Sequence, residues 1–264
     1  VYYDWWLQDG QDAKNEKDGK DVNWFRGTLS RQLSMRLQKL NVTTTVNDTP
    51  ESITAAFQAY LKACEARRAK RLASFTANSP EIVFTKFRTL RPSFFAYTEG
   101  ASDARAECNY IAGGTLSKIK MNGIWAEEET LMTDEDGVYR DPNLHFDGQH
   151  LLFSWKKSAK EDDFHLYEMD LKTRDIKQLT FGKGHADIEG IYLPDENILF
   201  NSTRCGSAVD CWFTEVSNMY LCDREGRYMR QVGFDQVHTV TPTLLDDGRI
   251  VYTRWDYNDR GQVW

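Results

Sequence analysis

The chain has 264 residues, of which 41% are hydrophobic, 28% charged and 13% aromatic, a composition that is ordinary for a soluble globular protein and favours β structure. The formal net charge of −7 argues against a nucleic-acid backbone as the main partner. No apolar run approaches the roughly 18 residues that a membrane-spanning helix needs, so the sequence predicts no membrane span. The chain starts at Val1 without a signal-like apolar segment, so we expect a processed product or a part of something longer.

Residues 1–79 are predicted to form an N-terminal segment with two amphipathic helices. Apolar residues recur every three or four positions between residues 23 and 40, and again between residues 50 and 72, which is helical spacing. Thr49 followed by Pro50 is a favourable helix start, because Thr caps the first turn and Pro fits inside it. The two apolar stripes predict an α-helical hairpin that buries its remaining apolar surface against the rest of the chain.

Residues 80–264 contain a repeat of short predicted strands. Three segments each lead from a polar approach, through a turn, into a β-branched and aromatic run: YRDPNLHFDGQHLLFSW, HADIEGIYLPDENILFNST and VHTVTPTLLDDGRIVYTRW. Phe153, Phe200 and Tyr252 fall in register, at spacings of 47 and 52 residues. A period of about 40–50 residues built from short strands predicts a β-propeller, with one four-stranded blade per repeat.

The predicted blades do not complete a ring. They cover residues 80–140 (with an insertion at 87–113), 141–187 and 188–241, and a partial blade covers residues 242–264. An arc of about three and a half blades leaves a strand edge exposed, whereas propellers close with about four to eight blades. We therefore expect a mainly β, incomplete propeller whose missing blades come from a longer polypeptide. The alternative is that the chain ends pair with another chain.

The repeats resemble those of known propeller families. DGQHLLFSW, LYEMD and KQLTFG resemble TolB-like (PD40-type) repeats, which are specific for architecture and uninformative about activity. Longer stretches resemble the N-terminal propeller region of hydrazine synthase alpha-subunit-like proteins: RPSFFAYTE, GVYRDPNLHFDGQHLLFSWKKS, EDDFHLYEMD, NSTRCGSAVDCWFTEVSNMYLCD and FDQVHTVTPTLLDDGRIVYTRWDYNDRGQ.

The second resemblance implies more than a fold. In the enzyme that names the family, it implies a propeller followed by haem-bearing domains, in an exported complex that joins nitric oxide and ammonia. A periplasmic or secreted location follows from the same resemblance. This chain contains no CxxCH motif, so haem would enter only through domains outside it. The resemblance thus implies a shared scaffold and leaves the reaction open.

Polar residues precede the first strand of each predicted blade. Arg140, Asp187 and Val240 stand at corresponding positions in the repeats, so side chains near them are expected to converge. Two imidazoles and two carboxylates suit Zn²⁺ or another first-row metal. The alternative is that these residues hydrogen-bond neighbouring blades. The predicted metal ligands are His185, Asp187, Glu189 and His238.

A long loop replaces a short turn after the run that ends near Ser202. Cys205 and Cys211 are close enough in sequence for a disulfide, and two reduced thiols are the alternative, since five cysteines leave at least one unpaired within the chain. The loop is predicted to bind a ligand or to contact another domain. Its candidate binding residues are Arg204, Asp210, Trp212 and Glu215.

Three functions remain open on the sequence alone. The first is a scaffold and interaction region of a larger exported bacterial protein, whose partners are the remainder of its own polypeptide or other subunits. The second is a metal-dependent enzyme with its centre on the propeller axis. The third is a carbohydrate- or peptide-binding propeller. The acidic turns 161–163 and 256–259 offer oxygen ligands for Ca²⁺, although solvated acidic turns are commoner than calcium sites.

Overall fold

A computed structural model describes residues 6, 27–88, 101, 109–210 and 213–256. The chain divides into two compact units. The first contains the described residues between Val1 and Pro80, with Met121–Glu127. The second contains those of Glu81–Lys120 and Glu128–Trp264. Among the described residues we find no helix that could span a membrane.

The first unit is built on a helical hairpin of α1 (Leu29–Lys39) and α2 (Pro50–Asn78). Each helix has a threonine N-cap: the side chain of Thr28 accepts a hydrogen bond from the Arg31 N–H, and that of Thr49 accepts one from the Ser52 N–H. These caps satisfy N–H groups that have no partner within the helix. The facing stripes bury one apolar cluster, made of Leu33, Leu37, Ala56, Tyr60 and Cys64. The predicted hairpin is present.

The described strands form four antiparallel sheets in chain order, and apart from Met121–Glu127 in the first of these sheets they belong to the second unit, which is mainly β. Sheet I contains β1 (Glu81–Phe87), β2 (Gly114–Asn122) and β3 (Trp125–Asp134). Sheet II contains β4 (Val138–Leu144), β5 (His150–Lys156), β6 (His165–Asp170) and β7 (Ile176–Gln178). Sheet III contains β8 (Asp187–Tyr192), β9 (Ile198–Ser202), β10 (Asn218–Cys222) and β11 (Arg230–Gln231), and sheet IV contains β12 (Thr239–Leu244) and β13 (Ile250–Arg254).

Each sheet packs its face against the next. Phe153 of sheet II lies in a cluster with Leu116 of sheet I, and Phe200 of sheet III lies in a cluster with Leu152 and Leu166 of sheet II. Tyr252 of sheet IV packs against a cluster of sheet III residues. The three aromatic residues that fall in register in the sequence therefore occupy equivalent positions, each in the apolar layer shared with the preceding sheet. Burying these layers is the main stabilising term of the unit.

The first strand of sheets II, III and IV carries the same irregularity. The pairing register shifts after Arg140, after Ile188 and after Val240. The residue that follows in each case has a left-handed backbone: Asp141 has φ 54°, Glu189 has φ 56° and Thr241 has φ 52°. The sequence comparison that aligned Asp187 with Arg140 and Val240 is therefore wrong by one residue, since Ile188 is the equivalent position. Such bulges cost local strain and re-aim side chains.

The up-and-down order of the strands gives the second unit two distinct ends. The connections between sheets, residues 179–186 and 232–238, lie at one end together with the long loop 203–217. We call this the loop end. The hairpin turns at residues 145–149, 193–197 and 245–249 lie at the opposite end, which we call the turn end. The bulges lie in the strand halves nearer the loop end.

Candidate functional site

Asp187 is fully buried at the start of β8. One carboxylate oxygen, Oδ1, accepts hydrogen bonds from Ser202 Oγ at 2.6 Å and from Arg204 Nε at 3.0 Å. The other, Oδ2, accepts one from Arg204 Nη2 at 2.7 Å and lies 3.3 Å from His165 Nδ1. Burial alone would raise the pKa of Asp187, but the hydrogen bonds from His165 and Arg204 outweigh burial and hold it below its ordinary value. The carboxylate therefore joins sheet II to the loop that follows β9.

Glu189 connects three sheets through its two carboxylate oxygens. Its Oε1 accepts a hydrogen bond from Arg140 Nη2 of sheet II at 3.2 Å. Its Oε2 accepts bonds from Asn201 Nδ2 within sheet III at 2.8 Å and from the backbone N–H of Thr241 in sheet IV at 2.6 Å. The side chain is only 6% exposed, so these contacts replace the water that an ionised carboxylate needs.

An equivalent contact between a side chain and the backbone of the next sheet joins sheet II to sheet III. Asp141 Oδ2 accepts the backbone N–H of Glu189 at 3.1 Å and the Arg140 Nε at 2.5 Å. Thus the acidic side chain at one bulge holds the backbone of the next bulge, first from sheet II to sheet III and then from sheet III to sheet IV. We call Arg140, Asp141, Glu189 and Thr241 the inner-strand polar chain.

The inner-strand polar chain contains one cation, Arg140, and two carboxylates, those of Asp141 and Glu189. Burial raises the pKa of Glu189, Arg140 opposes that rise, and Asp141 adds to it, so the pKa lies above its ordinary value. Arg140 is the cation that two carboxylates share, and its Nη1 also donates to Tyr110 Oη at 2.8 Å. One guanidinium between two acids makes the chain an ion-pair network rather than a vacant ligand set.

His238, another of the predicted ligands, is fully buried in the connection that leads to β12. Its Nδ1 accepts the backbone N–H of Ser217 at 3.1 Å, and its ring stacks on Trp255 with a centroid distance of 5.4 Å. Burial lowers the pKa of His238 to about 4. The imidazole is thus held neutral and anchors the loop end of sheet IV.

His185 lies half-buried at the loop end. Its Nε2 is 3.3 Å from the carbonyl oxygen of Phe181, and its ring centroid is 6.0 Å from that of His165. Among the described residues, the only His, Cys, Asp or Glu groups of three or more with ligand atoms within 4.8 Å of one another are His145, Asp147 and His150. The structure therefore does not gather three of the four predicted ligands.

The long loop at 203–217 is folded onto itself. It starts with a 3₁₀ turn, Thr203–Cys205, and closes with a bridge between Ala208 and Glu215. In its reduced form, Cys205 donates from Sγ to the Val216 carbonyl at 3.1 Å, and burial raises its pKa. Arg204 is committed to Asp187, and Asp210 is exposed. Cys211 and Trp212 lie outside the described residues, so the disulfide and the binding role of Trp212 stay predictions.

The acidic turns proposed for calcium have other contacts where they are described. Asp162 accepts the backbone N–H of Lys157 at 3.0 Å, and the buried Asp163 accepts that of Gly184 at 2.7 Å. Residues 257–259 of the second turn lie outside the described part of the chain. In the first turn, two of the three carboxylates thus shape loops.

Lowering the pH is expected to destabilise the fold, because the buried His238 imidazole is held neutral. Because the pKa of His238 is about 4 in the folded chain and about 6.5 in an unfolded one, its contribution to stability is complete above pH 6.5 and is lost as the pH falls towards 4. We expect the wild type to lose about 3 kcal/mol more than His238→Asn over this interval. Urea unfolding of both proteins at several pH values measures this difference in stability loss. Both proteins contain Glu189, so the effect of its titration cancels in the comparison. Parallel pH profiles for the two proteins would contradict the assignment.

The sequence has no match among protein-family models and no significant match among curated proteins. Solved structures resemble parts of it. A putative TolB from Agrobacterium tumefaciens is 17% identical over 53% of this chain and 50% of its own, with a TM-score of 0.40. Kuenenia stuttgartiensis hydrazine synthase is 16% identical over 67% of this chain and 28% of its own, with a TM-score of 0.49.

An oligogalacturonate lyase from Vibrio parahaemolyticus is 14% identical over 70% of this chain and 46% of its own, with a TM-score of 0.43. The chain thus spans about half or less of the length of each of these proteins.

Proposed function

We propose that this chain is a propeller-type scaffold within a larger exported bacterial protein, and that its interior polar residues join successive blades. The observation that carries the proposal is the use of Glu189. Its two oxygens are hydrogen-bonded to sheets II, III and IV, and the carboxylate is almost fully buried. A catalytic or metal-binding carboxylate needs access to substrate or ion, whereas this one is committed to backbone and side chains of the fold.

The export and the larger polypeptide rest on the resemblance of the repeats to hydrazine synthase alpha-subunit-like proteins. In this proposal, sheets II and III are complete blades, sheet IV belongs to a blade that is described in part, and the ring includes further blades from the same polypeptide. Any haem chemistry would belong to domains outside these residues.

The contact surface of the scaffold is proposed to lie at the loop end. Phe181 and Phe234 follow β7 and β11 at equivalent positions, and they are 62% and 79% exposed. Phe213, in the long loop, is 65% exposed. Large aromatic side chains are enriched in the buried centres of protein interfaces and are costly to leave in water. Their repetition in connections of equivalent position favours a partner domain that covers this end.

Removing these aromatic groups is expected to weaken partner binding without unfolding the chain. We expect Phe181→Ser/Phe234→Ser to raise the Kd for the partner at least about tenfold, since truncating a central anchor residue of an interface costs about 2 kcal/mol or more. The partner is first captured from the source organism, identified by mass spectrometry and then titrated in purified form. Thermal melting checks that the variant is folded.

A matched control is Tyr228→Ser, because Tyr228 is a 77% exposed aromatic residue in a turn-end hairpin. It should leave the Kd unchanged. Equal binding by the wild type and the double variant would contradict an interface at the loop end.

A binding function is the second candidate, and a cleft at the turn end favours it. The cleft has a volume of about 690 Å³ and is bordered by the hairpin turns of sheets II, III and IV, including Phe146, Tyr192, Pro194 and Leu244. Aromatic and proline side chains suit the apolar faces of sugars or peptide segments. A thermal-shift screen of oligosaccharides and peptides tests this function, because a ligand that binds only the folded state raises the melting temperature.

A further inference from the structure

Two histidines and an aspartate meet in the hairpin turn between β4 and β5, away from the inner-strand polar chain. Asp147 Oδ2 lies 3.0 Å from His145 Nδ1 and 2.7 Å from His150 Nδ1. Ligand-type atoms from all three side chains lie within 4.8 Å of one another. His145 is 6% exposed, whereas Asp147 and His150 are each 30% exposed, so the cluster has a buried side and a side open to solvent.

The contact made by Nε2, at the opposite edge of the ring from Nδ1, determines the tautomer of His145. His145 Nε2 lies 3.2 Å from Glu196 Oε2, and a carboxylate oxygen only accepts, so Nε2 carries the proton. Arg224 Nη1 donates to the same Glu196 oxygen at 3.1 Å. Neutral His145 therefore has its lone pair on Nδ1.

That lone pair faces a negative group. Nδ1 accepts the Asp147 backbone N–H at 3.2 Å, and it also lies 3.0 Å from the Asp147 Oδ2. Two electron-rich atoms at that distance repel each other unless a proton or a metal cation lies between them. The arrangement, with a carboxylate on the far nitrogen of an imidazole, is the one that orients histidine ligands in metalloproteins.

The turn itself does not need the histidines. The equivalent turns of sheets III and IV close with the same backbone pattern, in which the N–H of Glu196 bonds to the Leu193 carbonyl and that of Gly248 to the Leu245 carbonyl. Both have an aspartate, Asp195 or Asp247, that accepts a backbone N–H of its own turn, as Asp147 does. Leucine occupies the position of His145 in both. Turn geometry thus explains the aspartate but not the two histidines.

We propose that His145, Asp147 and His150 bind one divalent first-row transition metal ion, with Zn²⁺ the best match. The ligand atoms are Nδ1 of each histidine and a carboxylate oxygen of Asp147. Two imidazoles and one carboxylate are a common three-ligand set for Zn²⁺, and they leave one tetrahedral position for water or a ligand. Phe146, between the first two ligands, and Tyr192, whose ring contacts that of His145, line the turn-end cleft. The open position would therefore lie beside that cleft.

The test uses the untagged chain, stripped of metal with a chelator and titrated with ZnCl₂. Calorimetry and elemental analysis after dialysis should give one tightly bound Zn²⁺ per chain. His150→Ala removes an exposed ligand, and His145→Leu introduces the residue that the other two turns carry, so both are expected to fold. Each should weaken Zn²⁺ binding by more than tenfold, and Glu196→Gln, which acts through His145, by roughly tenfold.

His185→Ala is the matched control, because it removes a half-buried histidine at the opposite end, and it should leave Zn²⁺ affinity unchanged. Circular dichroism and thermal melting confirm that each variant is folded. No stoichiometric Zn²⁺ on the wild type, or wild-type affinity in His145→Leu and His150→Ala, overturns the proposal. Loss of binding in His185→Ala instead would place the ion at the loop end and also overturn it.

Discussion

Asp187→Ala is expected to lower the free energy of unfolding by about 3–5 kcal/mol, the range for removing one member of a buried ion pair. The substitution leaves the Arg204 guanidinium without the carboxylate that it holds through two nitrogens, at 3.0 and 2.7 Å. It also removes the acceptor of Ser202 Oγ. Urea unfolding at pH 7, followed by tryptophan fluorescence, measures the change.

Asp247→Ala is the control for this prediction. Asp247 also pairs with an arginine, but the side chains of Asp247 and Arg249 are 52% and 77% exposed, so the loss should be much smaller than for Asp187→Ala. If Asp187→Ala proves too unstable to purify, Asp187→Asn keeps the shape of the side chain and should show a smaller loss in the same direction. A stability equal to the wild type in both variants would contradict a structural role and would favour Asp187 as a ligand.

Glu189→Ala is expected to cost about 3 kcal/mol, since a buried ion pair and two further hydrogen bonds are lost together. This loss of stability should be smaller than the loss expected when a buried charge keeps no partner, because Arg140 still pairs with Asp141. The N–H of Thr241 loses its acceptor, so sheet IV should be loosened most. Hydrogen exchange of β12 amides, together with the midpoint of urea unfolding, measures both effects.

Glu225→Ala provides the matched comparison. Glu225 forms an ion pair with Lys177 at the surface, where the two side chains are 53% and 46% exposed, and exposed pairs contribute little. Faster exchange in β12 of Glu189→Ala but not of Glu225→Ala is the expected pattern. Equal exchange in the two variants would mean that Glu189 does not hold sheet IV.

The sequence predicted the helices and the repeat because both depend on local patterns. Apolar spacing and the Thr49–Pro50 start predict α2, whose N-cap is Thr49. Phe153, Phe200 and Tyr252 fall in register because each repeat must bury one large side chain against the preceding sheet. The period of the repeat and the buried aromatic positions can thus be predicted from a single sequence.

The partners of the polar residues were less predictable from the sequence, because they lie in segments that are distant along the chain. Glu189 and Thr241 are 52 residues apart, and they meet only because two bulges re-aim them. Asp187 contacts Arg204, which lies in a loop whose path the sequence does not specify. His145, Asp147 and His150 were overlooked because Asp-Gly predicts a turn, although the H-x-D-x-x-H spacing was the available signal.

The most direct test of the structural role of the inner-strand polar chain is a double-mutant cycle on Arg140 and Glu189. The free energies of unfolding of the wild type, Arg140→Ala, Glu189→Ala and the double variant are measured by urea denaturation at pH 7. Joined residues should show a coupling energy of at least about 1 kcal/mol, so that the double variant loses less than the sum of the single losses. Losses that add within about 0.3–0.5 kcal/mol, as for independent sites, would contradict the account.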